Sequence, residues 1–128
     1  MILGDVQPRA GQVYVSKRTD IEPVKEKYQL FFDERTVLLI NTEKSKRNVS
    51  VLLPQKDCPI LKYDSYICID NIFRFEDNIP ILEIEDVSTS ALKKLKEMVR
   101  ISNSLTGIQI KHLEQKISMI IANREESI

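Results

Sequence analysis

The chain has 128 residues, and its 19 Lys+Arg against 19 Asp+Glu give a formal net charge of zero and a pI near 6.6. That balance excludes a uniformly basic duplex-binding surface, so any nucleic-acid contact must come from a local patch. With 42% hydrophobic and 30% charged residues, the composition fits one globular domain able to bury a core without metal or disulfide staples.

The opening Met1-Ile2-Leu3-Gly4-Asp5 has neither a basic leader nor a long apolar run, which predicts no signal peptide, no membrane segment and a cytoplasmic location. From residue 11 to residue 87 the apolar residues come in short runs rich in Val, Ile, Tyr and Phe. These runs predict strands over 11–15, 28–32, 37–41, 49–53, 65–70, 72–75 and 81–85. Asp33-Glu34-Arg35-Thr36 and Glu76-Asp77-Asn78 read as turns, and connections this short imply antiparallel neighbours. Without helical crossovers between them, the strands are expected to form a small, strongly curved antiparallel sheet or barrel.

After Val87 the period changes. Ala91, Leu92, Leu95, Met98 and Val99 share one helical face, with Ser88, Thr89 or Ser90 available as N-cap. Thr106 and Gln109 have the spacing of a capping box for a second helix, whose apolar stripe is Ile110, Leu113, Ile117, Ile120 and Ile121. The expected class is therefore α+β: a barrel-like sheet over 11–87 and two C-terminal helices over 88–124, in a single domain. The helices are expected to pack on the sheet or on each other.

The neutrality conceals a segregation of charge. Residues 41–62 hold five basic and two acidic side chains (+3), residues 63–87 one basic and seven acidic (−6), and residues 88–105 four basic and one acidic (+3). One reading is that strands and helices carry charged outer faces that pair within the fold. The other is that Lys44-Ser45-Lys46-Arg47 forms an anion-binding loop between two strands, and the acidic stretch receives a basic partner. Eight tyrosines and phenylalanines lie among the strands, most of them expected in the core.

No glycine-rich phosphate loop, paired-cysteine motif or helical zinc motif is present, so the sequence implies neither a cofactor nor a metal. His112, the only histidine, lies off the apolar stripe of its helix, at a packing edge or exposed. Cys58, between Asp57 and Pro59, reads as a partly exposed loop thiol, whereas Cys68, between Ile67 and Ile69, reads as a sheet residue.

The segments Tyr28-Gln29-Leu30-Phe31-Phe32, Thr36-Val37-Leu38-Leu39-Ile40-Asn41-Thr42 and Asp57-Cys58-Pro59-Ile60-Leu61-Lys62-Tyr63-Asp64-Ser65-Tyr66-Ile67 resemble PemK-like and MazF-like proteins, especially the phage-type PemK relatives. The resemblance spans about residues 11–105. It implies an SH3-like barrel with a C-terminal helix, a toxin–antitoxin or mobile-element role, and metal-independent cleavage of single-stranded RNA. Carried over residue by residue, it makes Thr42, Lys27 and Ser65 catalytic candidates and Lys44, Ser45, Lys46, Arg47 and Lys62 RNA contacts. It also implies a homodimer and an antitoxin partner.

The departures from the family pattern are specific. The Arg-Pro pair of active ribonucleases is absent, leaving Lys25 and Lys27 as the nearby basic groups; Glu43 replaces the second residue of the Thr-Ser pair, and Cys58 replaces a histidine. Lysine lacks the planar fork that grips phosphate in two places. Two functional expectations follow: a toxin-type endoribonuclease or RNA-binding relative, and a non-catalytic module that binds a protein partner through its barrel or helices.

Overall fold

The computed structural model describes residues 7–44 and 49–126. Six strands, β1 (Gln12–Arg18), β2 (Lys25–Asp33), β3 (Thr36–Asn41), β4 (Ser50–Leu53), β5 (Ser65–Cys68) and β6 (Glu83–Asp86), precede helices α1 (Thr89–Val99) and α2 (Gly107–Glu126). All strand pairs are antiparallel, in the order β4-β5-β3-β2-β1-β6. The sheet curls into a half-barrel with β4 and β6 at its edges, which is the expected α+β barrel-like fold with two C-terminal helices.

The central strands are apolar on both sides, and their register shows why. Val13, Leu30, Phe32, Leu38 and Ile40 face the helices and join Leu92, Leu95, Leu113 and Ile117 in the main core. Their period-two neighbours Tyr14, Phe31 and Val37 face the other way and pack under Ile81, Phe73 and Phe75. A sheet covered on both faces loses the apolar/polar alternation of a one-sided one.

Local chemistry sets the element ends. The Asp33 carboxylate accepts the Arg35 amide at 2.8 Å, closing the β2–β3 hairpin. Ser88 caps α1 by accepting the Ala91 amide at 3.1 Å. Thr106 and Gln109 form the expected capping box, each side chain accepting the other's backbone amide. At the start of β1, Gly11 has φ 88, and a Cβ there would stand 2.9 Å from Ile120 of α2; only glycine permits this approach.

One expected strand is absent. Over 72–75 the chain makes a single bridge, Val37 to Phe73, and lies as a strap across the second face of the sheet. Arg18 holds the strap. Its buried guanidinium, 1% exposed, donates to both Asp20 oxygens (2.8 and 2.7 Å), to Gln29 Oε1 (2.8 Å) and to the Arg74 carbonyl (2.7 Å), and lies 5.2 Å from the centre of the Phe73 ring. Glu76 stands 3.4 Å from Arg18 and accepts from Thr19. Burial works against the charge on Arg18, but Asp20, Tyr14 and Glu76 more than offset it and raise its pKa. The same hydrogen bond from Arg18 holds the Asp20 carboxyl below its ordinary range.

Removing one partner from a buried charged network leaves the others desolvated and unmatched, at a cost of about 3–5 kcal/mol. Urea denaturation of Arg18→Ala is expected to show a loss at or near that size, with Arg18→Lys recovering only part of it because a single ammonium cannot serve the same fork of acceptors. A near-neutral Arg18→Ala would contradict the assignment. Because the Asp20 pKa is depressed in the folded state, its contribution is complete at neutral pH and fades as pH falls through that lowered value. Asp20→Asn should therefore flatten this part of the acid dependence of stability.

Candidate nucleic-acid interface

Where β2 begins and β3 ends, Lys25, Lys27, Tyr28, Asn41, Thr42 and Lys44 line an open groove of about 640 Å³, with Glu26, Ile40 and Glu43 completing it. Strand periodicity explains the convergence. Lys25 and Lys27 project from the same face of β2, while Thr42 to Lys44 leave the end of β3 directly alongside.

Lys27 is the most constrained of these groups. Its half-buried ammonium donates to Asn41 Oδ1, and the other end of that amide donates to Cys68 Sγ at 3.0 Å. Beneath it, Gln29 donates to the Lys27 carbonyl at 3.1 Å and is itself held by Arg18 and Tyr14. Burial, followed by repulsion from Lys25, keeps the Lys27 pKa below the usual lysine value. Among the described residues, no carboxylate forms an ion pair with Lys25, Lys27 or Lys44. A desolvated cation beside a like charge is stabilised by an incoming anion.

The helices carry basic residues in a different state. Lys93, Lys96 and Arg100 border a second groove of about 470 Å³ between α1 and α2. Here Arg100 lies 2.9 Å from Glu114 and Lys93 lies 3.8 Å from Glu125, so carboxylates already answer these charges.

The structure brings together Lys27, Thr42 and Lys44 from the sequence-derived candidates. It does not bring Ser65 or Lys62 to the groove. Ser65 is buried and its hydroxyl donates to the Tyr63 carbonyl at 2.9 Å, while Lys62 is exposed elsewhere. Ser45, Lys46 and Arg47 lie outside the described residues. His112 sits at the far end of β2, 3.3 Å from Thr36 Oγ1 and 3.6 Å from Asp33, where it ties the hairpin to α2. Asn41 and the Arg18–Gln29 support escaped the sequence reading; the polar residues at period two, Ser16 with Arg18 and Lys27 with Gln29, were the available signal.

Cys58 corrects an expectation. It is fully buried in the main core rather than partly exposed, because Pro54 to Leu61 folds inward through a short 3₁₀ turn at Gln55–Asp57. Burial, reinforced by Glu85, pushes its thiol up to about 12. Cys68 is also buried and raised, by burial first and then Asp70. Both thiols are therefore expected to stay unreactive toward a disulfide reagent at pH 8 in the folded protein and to react in denaturant. Rapid native labelling of Cys58 would contradict its placement.

Among the described residues no group of three His, Cys, Asp or Glu side chains is placed to hold a metal ion, and no helix is long and apolar enough to cross a membrane. No known protein family, curated protein or solved structure matches the chain.

Proposed function

We propose that the chain is a PemK- and MazF-like small-barrel protein that binds single-stranded RNA, with the phosphates seated at Lys25, Lys27 and Lys44. The observation that carries this reading is the convergence on a single groove of three lysines that form no carboxylate ion pair among the described residues, one of them desolvated. Phosphate satisfies such a site, and the cost of burying Lys27 in the free protein is recovered on binding. The resemblance of segments 28–32, 36–42 and 57–67 to PemK-like proteins supports the same reading, and the toxin–antitoxin setting comes with that resemblance.

Binding, rather than cleavage, is the activity the groove supports. Strand cleavage through a 2′-hydroxyl requires a base and an acid on opposite sides of one phosphate. The Ser65 hydroxyl is already committed to a backbone carbonyl, and the histidine lies at the other end of β2. Thr42 and Lys27 remain as hydrogen-bond donors to phosphate oxygens.

Three phosphate contacts to a single strand give a slope of about −2 in log K against log salt concentration. Fluorescence anisotropy of a labelled oligoribonucleotide should show that slope in the wild-type protein and a shallower one in Lys25→Glu/Lys44→Glu. Lys27→Met should weaken binding on the order of tenfold, while its melting temperature should not fall because a desolvated charge has been removed. Salt-independent binding, or full affinity in the charge-reversed variant, would overturn the proposal.

A further inference from the structure

The strand register extends the groove onto an adjoining surface. Tyr66 on β5 stands opposite Asn41 on β3 and opposite Leu52 on β4. Directly paired residues share a sheet face, and the hydrogen bonds of Asn41 to Lys27 and Cys68 fix which face it is. Leu52, Tyr66, Asn41 and Lys27 thus form one row across four strands.

This row lies on the same side of the sheet as Tyr14, Phe31 and Val37, but its environment differs. Over β1, β2 and β3 that side is covered by Ile81 and the Phe73–Phe75 strap, and no residue of β4 or β5 belongs to the covered cluster. Leu52 is left 38% exposed and Tyr66 half-buried. An aromatic ring and a leucine on a part of the sheet face that the strap does not reach, continuous through Asn41 with a lysine groove, combine the two elements of single-strand recognition: a stacking surface beside a cationic track. Strands stand about 4.8 Å apart, so Tyr66 and Lys27, two strands distant, are separated by about 10 Å.

We infer that Tyr66, backed by Leu52, is the stacking platform for an unpaired base of the strand whose phosphates occupy the lysine groove. The inference rests on the RNA-binding reading and assigns the base-recognition element that the lysines alone do not provide. Asn41, oriented by Lys27 and Cys68, stands between the two parts as the hinge of the site.

The test compares two ligands of the intact protein, a single-stranded oligouridylate and inorganic polyphosphate, which has charge but no bases. Tyr66→Ala should lose affinity for the RNA on the order of tenfold, with an unchanged salt slope and unchanged polyphosphate binding, and Tyr66→Phe should retain wild-type affinity within about twofold. The chain contains no tryptophan, so Tyr66→Trp supplies a single reporter that remains informative even if the alanine variant is unstable. Its fluorescence should be quenched by oligouridylate and not by polyphosphate. Wild-type RNA affinity in Tyr66→Ala, or an unresponsive tryptophan in a protein that still binds RNA through its lysines, would overturn the stacking platform and leave the groove standing. Failure of the wild-type protein to bind either ligand would remove both.

Discussion

A charge with no access to water organises the second face of the sheet. The buried guanidinium of Arg18 is tolerated because Asp20, Gln29, Glu76 and the Arg74 carbonyl surround it, and a planar fork of donors can serve all of them at once. The arrangement holds the strap over Tyr14 and Phe31, completing the smaller core. It also fixes Gln29, whose amide reaches the Ser16 side chain and the Lys27 carbonyl. Burial of the Tyr14 phenol raises its pKa, with Arg18 opposing the rise, so the hydroxyl stays protonated and donates to Gln29 at 2.8 Å. Through Gln29 the lysine groove is thereby continuous with the buried polar network around Arg18.

The basic residues of this neutral protein differ in what surrounds them. On the helices, arginine and lysine face glutamates across the α1–α2 groove. Where β2 begins, Lys25 and Lys27 lie close together with an asparagine against Lys27, and Glu26 and Glu43 border the groove without pairing with either lysine among the described residues. The first arrangement contributes modestly to stability at an exposed surface; the second leaves Lys27 desolvated beside Lys25, an environment that disfavours its charge in the free protein and suits an anion. Sites that oppose stability in this way are where binding functions are found. The row of Leu52 and Tyr66 beyond the strap is similar, since half-exposed apolar and aromatic surface beside a lysine groove contributes little to folding and suits a nucleobase.

Elements governed by local rules were legible in the sequence. The hairpin at Asp33, the apolar face of α1 and the capping box at Thr106 and Gln109 depend on residues a few positions apart. Lys27, Thr42 and Lys44 were also named from sequence, and the fold gathers them. What escaped depends on contacts between distant segments. Residues 72–75 have strand-like composition, but the hairpin of β2 and β3 offers them only one bridge. Cys58 looks like a loop group until the chain from Pro54 to Leu61 turns it inward, and Ser65 looks like a free strand-end hydroxyl until pairing with β4 buries it and the Tyr63 carbonyl accepts its hydrogen bond. Arg18 resembles a surface residue at a strand end, and only the strap, 56 residues later in the chain, makes it a core residue. Tyr66 reads as one more strand aromatic, because its position outside the smaller core is set by where the strap ends.

Backbone amide chemical-shift mapping tests the proposed RNA site most directly. Titration of the isotope-labelled protein with a short single-stranded oligoribonucleotide is expected to perturb Lys25, Lys27, Asn41, Thr42, Lys44 and Tyr66 as one contiguous patch, with the α1–α2 groove silent. Perturbations centred on Lys93, Lys96 and Arg100, or scattered over the surface without saturation, would contradict it.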